Sequence, residues 1–236
     1  MEIENIYTLT PLQEGMLYHA LMNKESSSYF EQLCLDIEGV LDKDILETSL
    51  NKVIENHDAL RAVFIHENVK KPLQVIVKQK YSKIYYEDIS MMNDIEKERY
   101  VSDFKQKDID KGFDLRKDVL IRLSVLKVDE EKFYLIISFH HIIIDGWSLG
   151  IILKELINSY NELKNNKKVI FKPANDYGEY IKWLNSLDSK EAKRYWENYL
   201  EEYNSTIQIP TYNHDLDKEE YEQGICKFTI NKRCTS

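Results

Sequence analysis

Apolar residues recur along the chain at two spacings, every second residue in some segments and every third or fourth in others. The first spacing is typical of half-buried strands and the second of amphipathic helices. Strands are predicted at residues 7–10, 33–38, 60–66, 73–79, 83–88, 119–128, 132–139 and 224–231. Helices are predicted at residues 11–22, 42–57, 90–110, 146–163, 174–184 and 189–203. This mixture of elements indicates an α/β (α+β) layered fold.

The composition narrows the possible partners. With 43% apolar residues in 236, the chain can bury a substantial core, and its net charge of −9 argues against nucleic-acid binding through a basic face. Its three cysteines, Cys34, Cys226 and Cys234, lack metal-ligand spacing and leave an odd thiol, which favours a reduced, cytoplasmic setting. We find no signal peptide and no apolar run long enough to span a membrane. We therefore expect a soluble protein with neither nucleic-acid nor membrane partners.

The segment at residues 139–148, Phe-His-His-Ile-Ile-Ile-Asp-Gly-Trp-Ser, carries the clearest candidate chemistry. Adjacent side chains of a strand point to opposite faces, so only one of His140 and His141 can face a given cleft. Asp145 follows four residues later, and Gly146 occupies the expected turn. This arrangement suits a base held on a rigid element. We do not expect a metal site, because the two histidines diverge and no further ligand cluster is visible.

The HHxxxDG pattern of this segment resembles the core motif of nonribosomal peptide synthetase condensation domains, within the chloramphenicol-acetyltransferase-like superfamily. Residues 9–19, Leu-Thr-Pro-Leu-Gln-Glu-Gly-Met-Leu-Tyr-His, are similar to the first motif of that family. Residues 56–64 are similar to the second; Asn, Asp and Ala replace the family's Arg, Glu and Thr, whereas Arg61 is kept. Residues 176–183 match the fourth motif more loosely. The four motifs occur in the family's order, and the resemblance covers essentially the whole chain.

This resemblance implies a chloramphenicol-acetyltransferase-like lobe, a two-layer sandwich with a mixed β-sheet covered by helices. Residues 1–170 would form the N-terminal lobe, and residues 171–236 a helical crossing segment and the start of a C-terminal lobe. The later motifs of that second lobe are absent. We therefore expect either the N-terminal part of a longer domain or a naturally shortened relative, and activity of the fragment alone stays open.

The resemblance also implies the reaction, in which the amine of an aminoacyl group attacks an acyl or peptidyl thioester to form an amide. Both substrates would be carried on phosphopantetheine arms by donor and acceptor peptidyl carrier proteins. The C-terminal lobe and an adenylation domain of the same synthetase would be further partners. No cofactor would be bound by the chain itself. His141 would be catalytic, either as a base or by positioning the amine, and His140 would face inward and hydrogen-bond the backbone.

Five further residues are expected to support or border this site. Asp145 would cap the following helix and form a salt bridge with Arg61 that holds the His141 loop. The missing Cβ of Gly146 would permit an unusual φ and a close approach of the pantetheine arm. Trp147 and Ser148 would lie along the same approach, with packing and helix-start roles.

Three alternatives remain open at this stage. The chain could be a non-catalytic carrier-protein-binding lobe or remnant, which a product assay with both loaded carriers would distinguish. It could be an epimerization domain, although Trp-Ser follows Gly146 here, as in condensation domains, instead of Val-Ser-Trp. A small-molecule acetyltransferase is the third alternative, and the trimeric assembly typical of that class would be visible by gel filtration.

Overall fold

The computed structural model describes residues 2–22, 27–172, 174 and 176–203. The described residues up to Leu187 form one compact unit, and those from Asp188 onward form a second. The predicted strand at 224–231 lies outside the described residues, as do Cys226 and Cys234. The boundary between the two units falls later than the predicted one at residue 170; the assignment of the two parts as lobe and crossing segment stays a prediction.

The described residues form seven strands and six α-helices. In chain order they are β1 (Ile3–Thr8), α1 (Pro11–Met22), β2 (Phe30–Glu38), α2 (Lys43–Asn56), β3 (Ala62–Ile65), β4 (Leu73–Val77), β5 (Tyr85–Asp88), α3 (Asp94–Lys111), β6 (Ile121–Asp129), β7 (Lys132–His140), α4 (Gly146–Lys164), α5 (Tyr177–Ser186) and α6 (Ser189–Tyr199). Only α6 belongs to the second unit. None of the described helices is long and apolar enough to cross a membrane.

A four-stranded mixed sheet forms the centre of the first unit. Its strand order is β2-β7-β6-β5; β7 pairs antiparallel with β2 and β6, and β5 pairs parallel with β6. Alternate apolar residues of β7, such as Leu135 and Ile137, pack with α2 and α4 on one face. Ile136 packs with residues of α3 on the opposite face. The predicted mixed sheet covered by helices is therefore confirmed, and both faces of β7 are buried.

A separate three-stranded sheet, which the sequence pattern did not distinguish, has the order β1-β4-β3. Leu17 of α1 packs with Phe64 and Ile76 of this sheet, and Ile142 joins the same cluster. Burying an apolar side chain of this size stabilises the fold by ~1.5–3 kcal/mol. This second core therefore attaches the loop after β7 to α1 and to the smaller sheet.

Side-chain caps fix the beginning of several helices. Asp42 caps α2, as predicted. Helix α3 begins at Asp94, later than the predicted residue 90, because Asn93 and Glu96 form a reciprocal capping box there. Helix α1 buries Gln13 and Leu17 and leaves Leu12 exposed. The buried face of α1 therefore includes a polar side chain, that of Gln13.

Candidate functional site

The loop that follows β7 is held by backbone hydrogen bonds from two directions. The His140 N–H donates to the Leu120 carbonyl at 3.0 Å, and the His141 N–H donates to the Tyr29 carbonyl at 2.8 Å. The Ile143 N–H then donates to the His140 carbonyl at 3.2 Å. Tyr29 has a φ of 65°, a left-handed conformation that is uncommon for a residue with a side chain. The backbone at His141 is therefore closely fixed.

His140 faces the interior, as the resemblance implied. The residue is 6% exposed, and its Nδ1 accepts the Ile142 N–H at 3.1 Å. A neutral imidazole that accepts at Nδ1 carries its proton on Nε2. Burial, together with the neighbouring His141, lowers the pKa of His140 to about 4. The ring is therefore neutral at physiological pH, while its supporting role for the site stays a prediction.

His141 differs from His140 in both exposure and hydrogen bonding. The residue is only half-buried. Its Nδ1 is shielded from solvent and has no hydrogen-bond partner among the described residues. Leaving a buried polar atom unpaired costs about 1–3 kcal/mol, so a donor that reaches this nitrogen would recover that cost. The structure thus offers one imidazole whose backbone is fixed and whose Nδ1 is uncommitted.

Asp145 and Ser148 together form the beginning of α4. Asp145 Oδ1 accepts the Ser148 N–H at 2.7 Å, which provides the predicted helix cap. Hydrogen bonds from Ser148 lower the pKa of the Asp145 carboxyl. The helix-start role expected of Ser148 is therefore present, through its backbone.

One expectation for the neighbouring residues, the packing of Trp147, is wrong. Gly146 is the first residue of α4 and has no left-handed φ, so the conformational freedom that its missing Cβ permits is not used here. The helix begins directly after Asp145, so no special turn is required; a Cβ at Gly146 would meet no atom within 4 Å. Trp147 does not pack into the interior, because it lies on the outer side of the first helical turn and is 89% exposed. The proximity of both residues to a pantetheine arm stays a prediction.

The predicted salt bridge between Asp145 and Arg61 is also wrong. The guanidinium of Arg61 is buried and binds the carboxylates of Glu4 and Asp58. It also donates to the Val77 carbonyl at 2.7 Å. Asp58 precedes Arg61 by three residues in the same 3-10 turn, and Glu4 lies on β1. One carboxylate is therefore a neighbour along the chain, and the other is brought to the guanidinium by the fold. Arg61 therefore joins this turn to β1 and β4, and Asp145 serves only α4.

Gln13 contacts the motif loop, and sequence reasoning did not single it out. Its Nε2 donates to the Ile142 carbonyl at 3.2 Å. The Gln13 N–H donates to Thr10 Oγ1, and Gln13 Oε1 accepts the Thr10 N–H, which forms a capping box for α1. The Thr-x-x-Gln spacing could have revealed the capping box. No local signal could have revealed the contact with Ile142, 129 positions away.

A cavity of about 800 Å³ lies beside the buried histidine. Its lining includes His140, Phe30, Phe113 and Leu115, together with residues from the ends of α1 and α3. His141 is not among the described residues that line it. The two adjacent histidines therefore differ in their relation to this cavity, as expected for successive side chains of a strand. Within the described ranges, no group of three or more His, Cys, Asp or Glu side chains is placed to hold a metal ion.

Comparisons with known proteins extend these observations. The family model for "Condensation domain" matches residues 3–236. Gramicidin S synthase 2 from Brevibacillus brevis is 35% identical over 233 residues, which cover 99% of this chain and 5% of that protein. Bacitracin synthase 3 from Bacillus licheniformis is 38% identical over 233 residues, which cover 99% of this chain and 4% of that protein. The chain thus spans a small part of the length of the curated relatives it matches.

Solved structures support the fold. The starter condensation domain of rhizomide synthetase superposes with a TM-score of 0.73 at 20% identity, covering 87% of this chain and 52% of that chain. The predicted chloramphenicol-acetyltransferase-like architecture is therefore confirmed, and the chain spans about half of this solved domain. With a family model that matches nearly every residue, the chain belongs to the condensation-domain family.

Proposed function

We propose that this chain contributes to amide-bond formation between two carrier-bound substrates, with His141 as the residue that acts on the amine. The donor would be an acyl or peptidyl thioester and the acceptor an aminoacyl thioester with a free amine. The observation that carries this proposal is the uncommitted Nδ1 of His141 on a fixed backbone. Membership of the condensation-domain family supports the choice of reaction.

The reaction requires positioning more than it requires deprotonation. A free α-amine has a pKa near 8, so roughly a tenth is neutral at pH 7, which costs only ~1.4 kcal/mol. Holding the amine against the thioester can contribute ~7–11 kcal/mol, whereas a general base contributes about 3–5 kcal/mol. His141 would accept a hydrogen bond from the amine. This bond would align the lone pair of the amine nitrogen with the carbonyl carbon of the thioester.

The bond changes balance without a further reactant. The amine nitrogen forms a bond to the thioester carbon, and the carbon–sulfur bond breaks, so the donor pantetheine leaves as a thiolate. The nitrogen then loses a proton to His141, and the imidazolium returns it to the thiolate sulfur. A base on a rigid strand end suits both proton transfers, because the ring does not have to move between them.

Three observations favour His141 over His140 for this role. His140 already uses Nδ1 for the Ile142 N–H. Its pKa of about 4 makes it a weak base. It is also almost completely buried, whereas His141 is partly exposed. We therefore assign His140 to support of the loop.

The surroundings of His141 suit large tethered substrates. Trp147 on α4 and Leu12 on α1 are 89% and 76% exposed, so each helix next to the loop presents an apolar side chain outward. The open space beside Gly146 supports its use by a pantetheine arm. We propose donor and acceptor peptidyl carrier proteins as partners, with phosphopantetheine supplied by those carriers. We also propose a second lobe and an adenylation domain of the same synthetase as partners. The proposed location is the cytoplasm.

A reconstituted condensation assay tests the proposal. The full-length protein is mixed with an acylated donor carrier and an aminoacylated acceptor carrier, and intact-mass measurement follows the acceptor carrier. We expect its mass to increase by the acyl group, and we expect no increase when the donor carrier is left unacylated. Binding of both carriers without product would contradict catalysis and would support the non-catalytic carrier-binding alternative.

A further inference from the structure

We infer that Gln13 is a positioning residue for His141, acting through the carbonyl of Ile142. The inference rests on the proposed function of His141 and extends it to a residue on a different element. The Gln13 side-chain amide spans the space between the start of α1 and the loop after β7. Gln13 is 8% exposed, so this amide works in an environment where unpaired polar groups are costly.

The direction of the Gln13 amide is fixed by its partners. Oε1 faces the Thr10 N–H at 3.0 Å, and a backbone N–H can only donate. The amide nitrogen must therefore point the other way, where it lies 3.2 Å from the Ile142 carbonyl. A flipped amide would place two donors together at Thr10 and two acceptors together at Ile142. The contact with the loop is thus a true donation.

Gln74 of β4 reinforces this direction. Its Nε2 donates to the Thr8 carbonyl at 2.9 Å and to Gln13 Oε1 at 3.2 Å. Its Oε1 lies 3.4 Å from Gln13 Nε2. Gln74 is 1% exposed, so the pair of amides forms a buried bridge between the smaller sheet and α1. A bridge of this kind resists rotation of either amide.

The bridge ends one residue after His141. The His141 N–H is held by Tyr29, and the following Ile142 N–H is held by His140. The Ile142 carbonyl follows on the same residue, and Gln13 holds it. Without Gln13, the peptide plane after Ile142 keeps only the hydrogen bond from the Ile143 N–H to the His140 carbonyl. The plane would then be held on one side only, and the His141 ring would be able to shift. A displacement of about 1 Å at a reacting group can reduce the rate ~100-fold.

The variant Gln13→Glu separates positioning from helix capping. Glutamate can also complete a capping box with Thr10, so the start of α1 keeps its reciprocal bonds. An ionised carboxylate cannot donate to the Ile142 carbonyl and repels it. The matched control is Thr10→Ala, which removes the hydroxyl that accepts the Gln13 N–H but leaves the Gln13–Ile142 contact in place.

The test uses single-turnover condensation by the full-length protein with both loaded carriers. We expect Gln13→Glu to lower the maximal rate by ~10- to 100-fold, with an unchanged apparent KM for the acceptor carrier. Thr10→Ala should stay within about 3-fold of wild type, although both variants should lose some thermal stability. If Gln13→Glu unfolds, Gln13→Met replaces it, since Met has a similar length and cannot donate to the carbonyl.

The pH profile adds a readout that a purely structural role would not change. Lowering the pH protonates the buried carboxyl introduced by Gln13→Glu, and the neutral acid can donate to Ile142 again. The rate of Gln13→Glu relative to wild type should therefore rise as the pH falls. Taking this ratio removes the titration of His140, which both proteins share. Burial raises the pKa of Tyr177 beside Gln13, so this phenol stays neutral as the pH falls. Gln13→Met should show no such rise.

The outcomes distinguish a failure of the positioning role of Gln13 from a failure of the proposed function. If wild type forms product and Gln13→Glu matches either wild type or Thr10→Ala in maximal rate, the positioning role is wrong and the proposed function stands. A change confined to KM would also overturn the positioning role. If wild type forms no product, whichever of the two carriers serves as the donor, the proposed function fails. The role of Gln13 then fails with it.

Discussion

Two buried polar clusters lie two residues apart on the same face of β7, and they are built in opposite ways. Ser138 joins the first cluster, in which Arg122 Nε lies 2.6 Å and Gln32 Nε2 2.9 Å from the carboxylate of Asp108. His140 belongs to the second cluster, in which its neutral ring accepts the Ile142 N–H. The first cluster is ionic and the second is not.

The two clusters also differ in how completely they are satisfied. The Asp108 carboxylate accepts from three side chains, and Arg122 additionally donates to the carbonyls of Gly112 and Asp108 and stacks over Phe113. The next residue after His140 is His141, whose Nδ1 has no partner in the described part of the chain. A saturated cluster stabilises the fold, whereas an unsaturated one offers an atom to a ligand.

Removing the carboxylate of the ionic cluster should have the largest effect on stability. Asp108→Ala leaves the guanidinium of Arg122, whose side chain is 15% exposed, without its counter-ion, and we expect a loss of about 3 kcal/mol in the free energy of unfolding. Urea unfolding at neutral pH measures this loss. The exposed Asp103→Ala on the same helix is the control and should change stability by less than ~0.5 kcal/mol. Equal values for the two variants would show that the ionic cluster does not stabilise α3 against the sheet.

Acid should weaken the neutral cluster through His140. The pKa of His140 is about 4 in the folded protein, below the ordinary value near 6.5. Between pH 6.5 and pH 4 the unfolded chain takes up a proton that the folded chain does not, so stability falls as the pH falls. Over this window the loss attributable to His140 is roughly 3 kcal/mol.

The variant His140→Asn isolates this contribution from the titration of carboxylates. Asparagine can accept the Ile142 N–H but does not titrate. We expect the unfolding free energies of wild type and variant to converge as the pH is lowered from about 7 to about 4.5. Parallel pH profiles would mean that His140 is not held neutral by the fold.

The cap at the start of α4 should have a smaller effect. Asp145→Ala removes the acceptor of the Ser148 N–H, and we expect a loss of ~0.5–2 kcal/mol in stability. Asp145→Ser can cap the helix and should recover most of this loss. If Asp145→Ser lost as much stability as Asp145→Ala, the carboxylate would have a role other than capping. Thermal and urea unfolding distinguish these results.

The smallest coupling energy is expected for Arg61 and Asp145, the salt bridge that the sequence predicted and the structure does not show. A double-mutant cycle between Arg61 and Asp145 should give a coupling energy within about 0.5 kcal/mol of zero, because the two residues share no partner. The corresponding cycle between Arg61 and Asp58 should give a clearly favourable coupling, since these side chains are bonded. A strong coupling for the first pair would restore the predicted salt bridge.

The successes and failures of sequence reasoning have physical reasons. The alternation in β7 predicted that His140 and His141 diverge, because strand geometry depends only on local sequence. The length of α1 was likewise predicted at residues 11–22. The partners of Arg61 were wrongly predicted: Asp58 reaches it within one 3-10 turn, which the strand predicted at 60–66 did not include, and Glu4 is brought to it by the pairing of β1 with β4. The split into two sheets and the contact of Gln13 with Ile142 depend on the same long-range packing.

The role of His141 is tested most directly by replacing it with alanine in the full-length protein and measuring single-turnover condensation with both loaded carriers. We expect the rate of product formation to fall by ~10²–10⁴-fold, while the free energy of unfolding changes little because Nδ1 of His141 bonds to no described residue. A His141→Ala variant that forms product at the wild-type rate would show that His141 does not act on the amine.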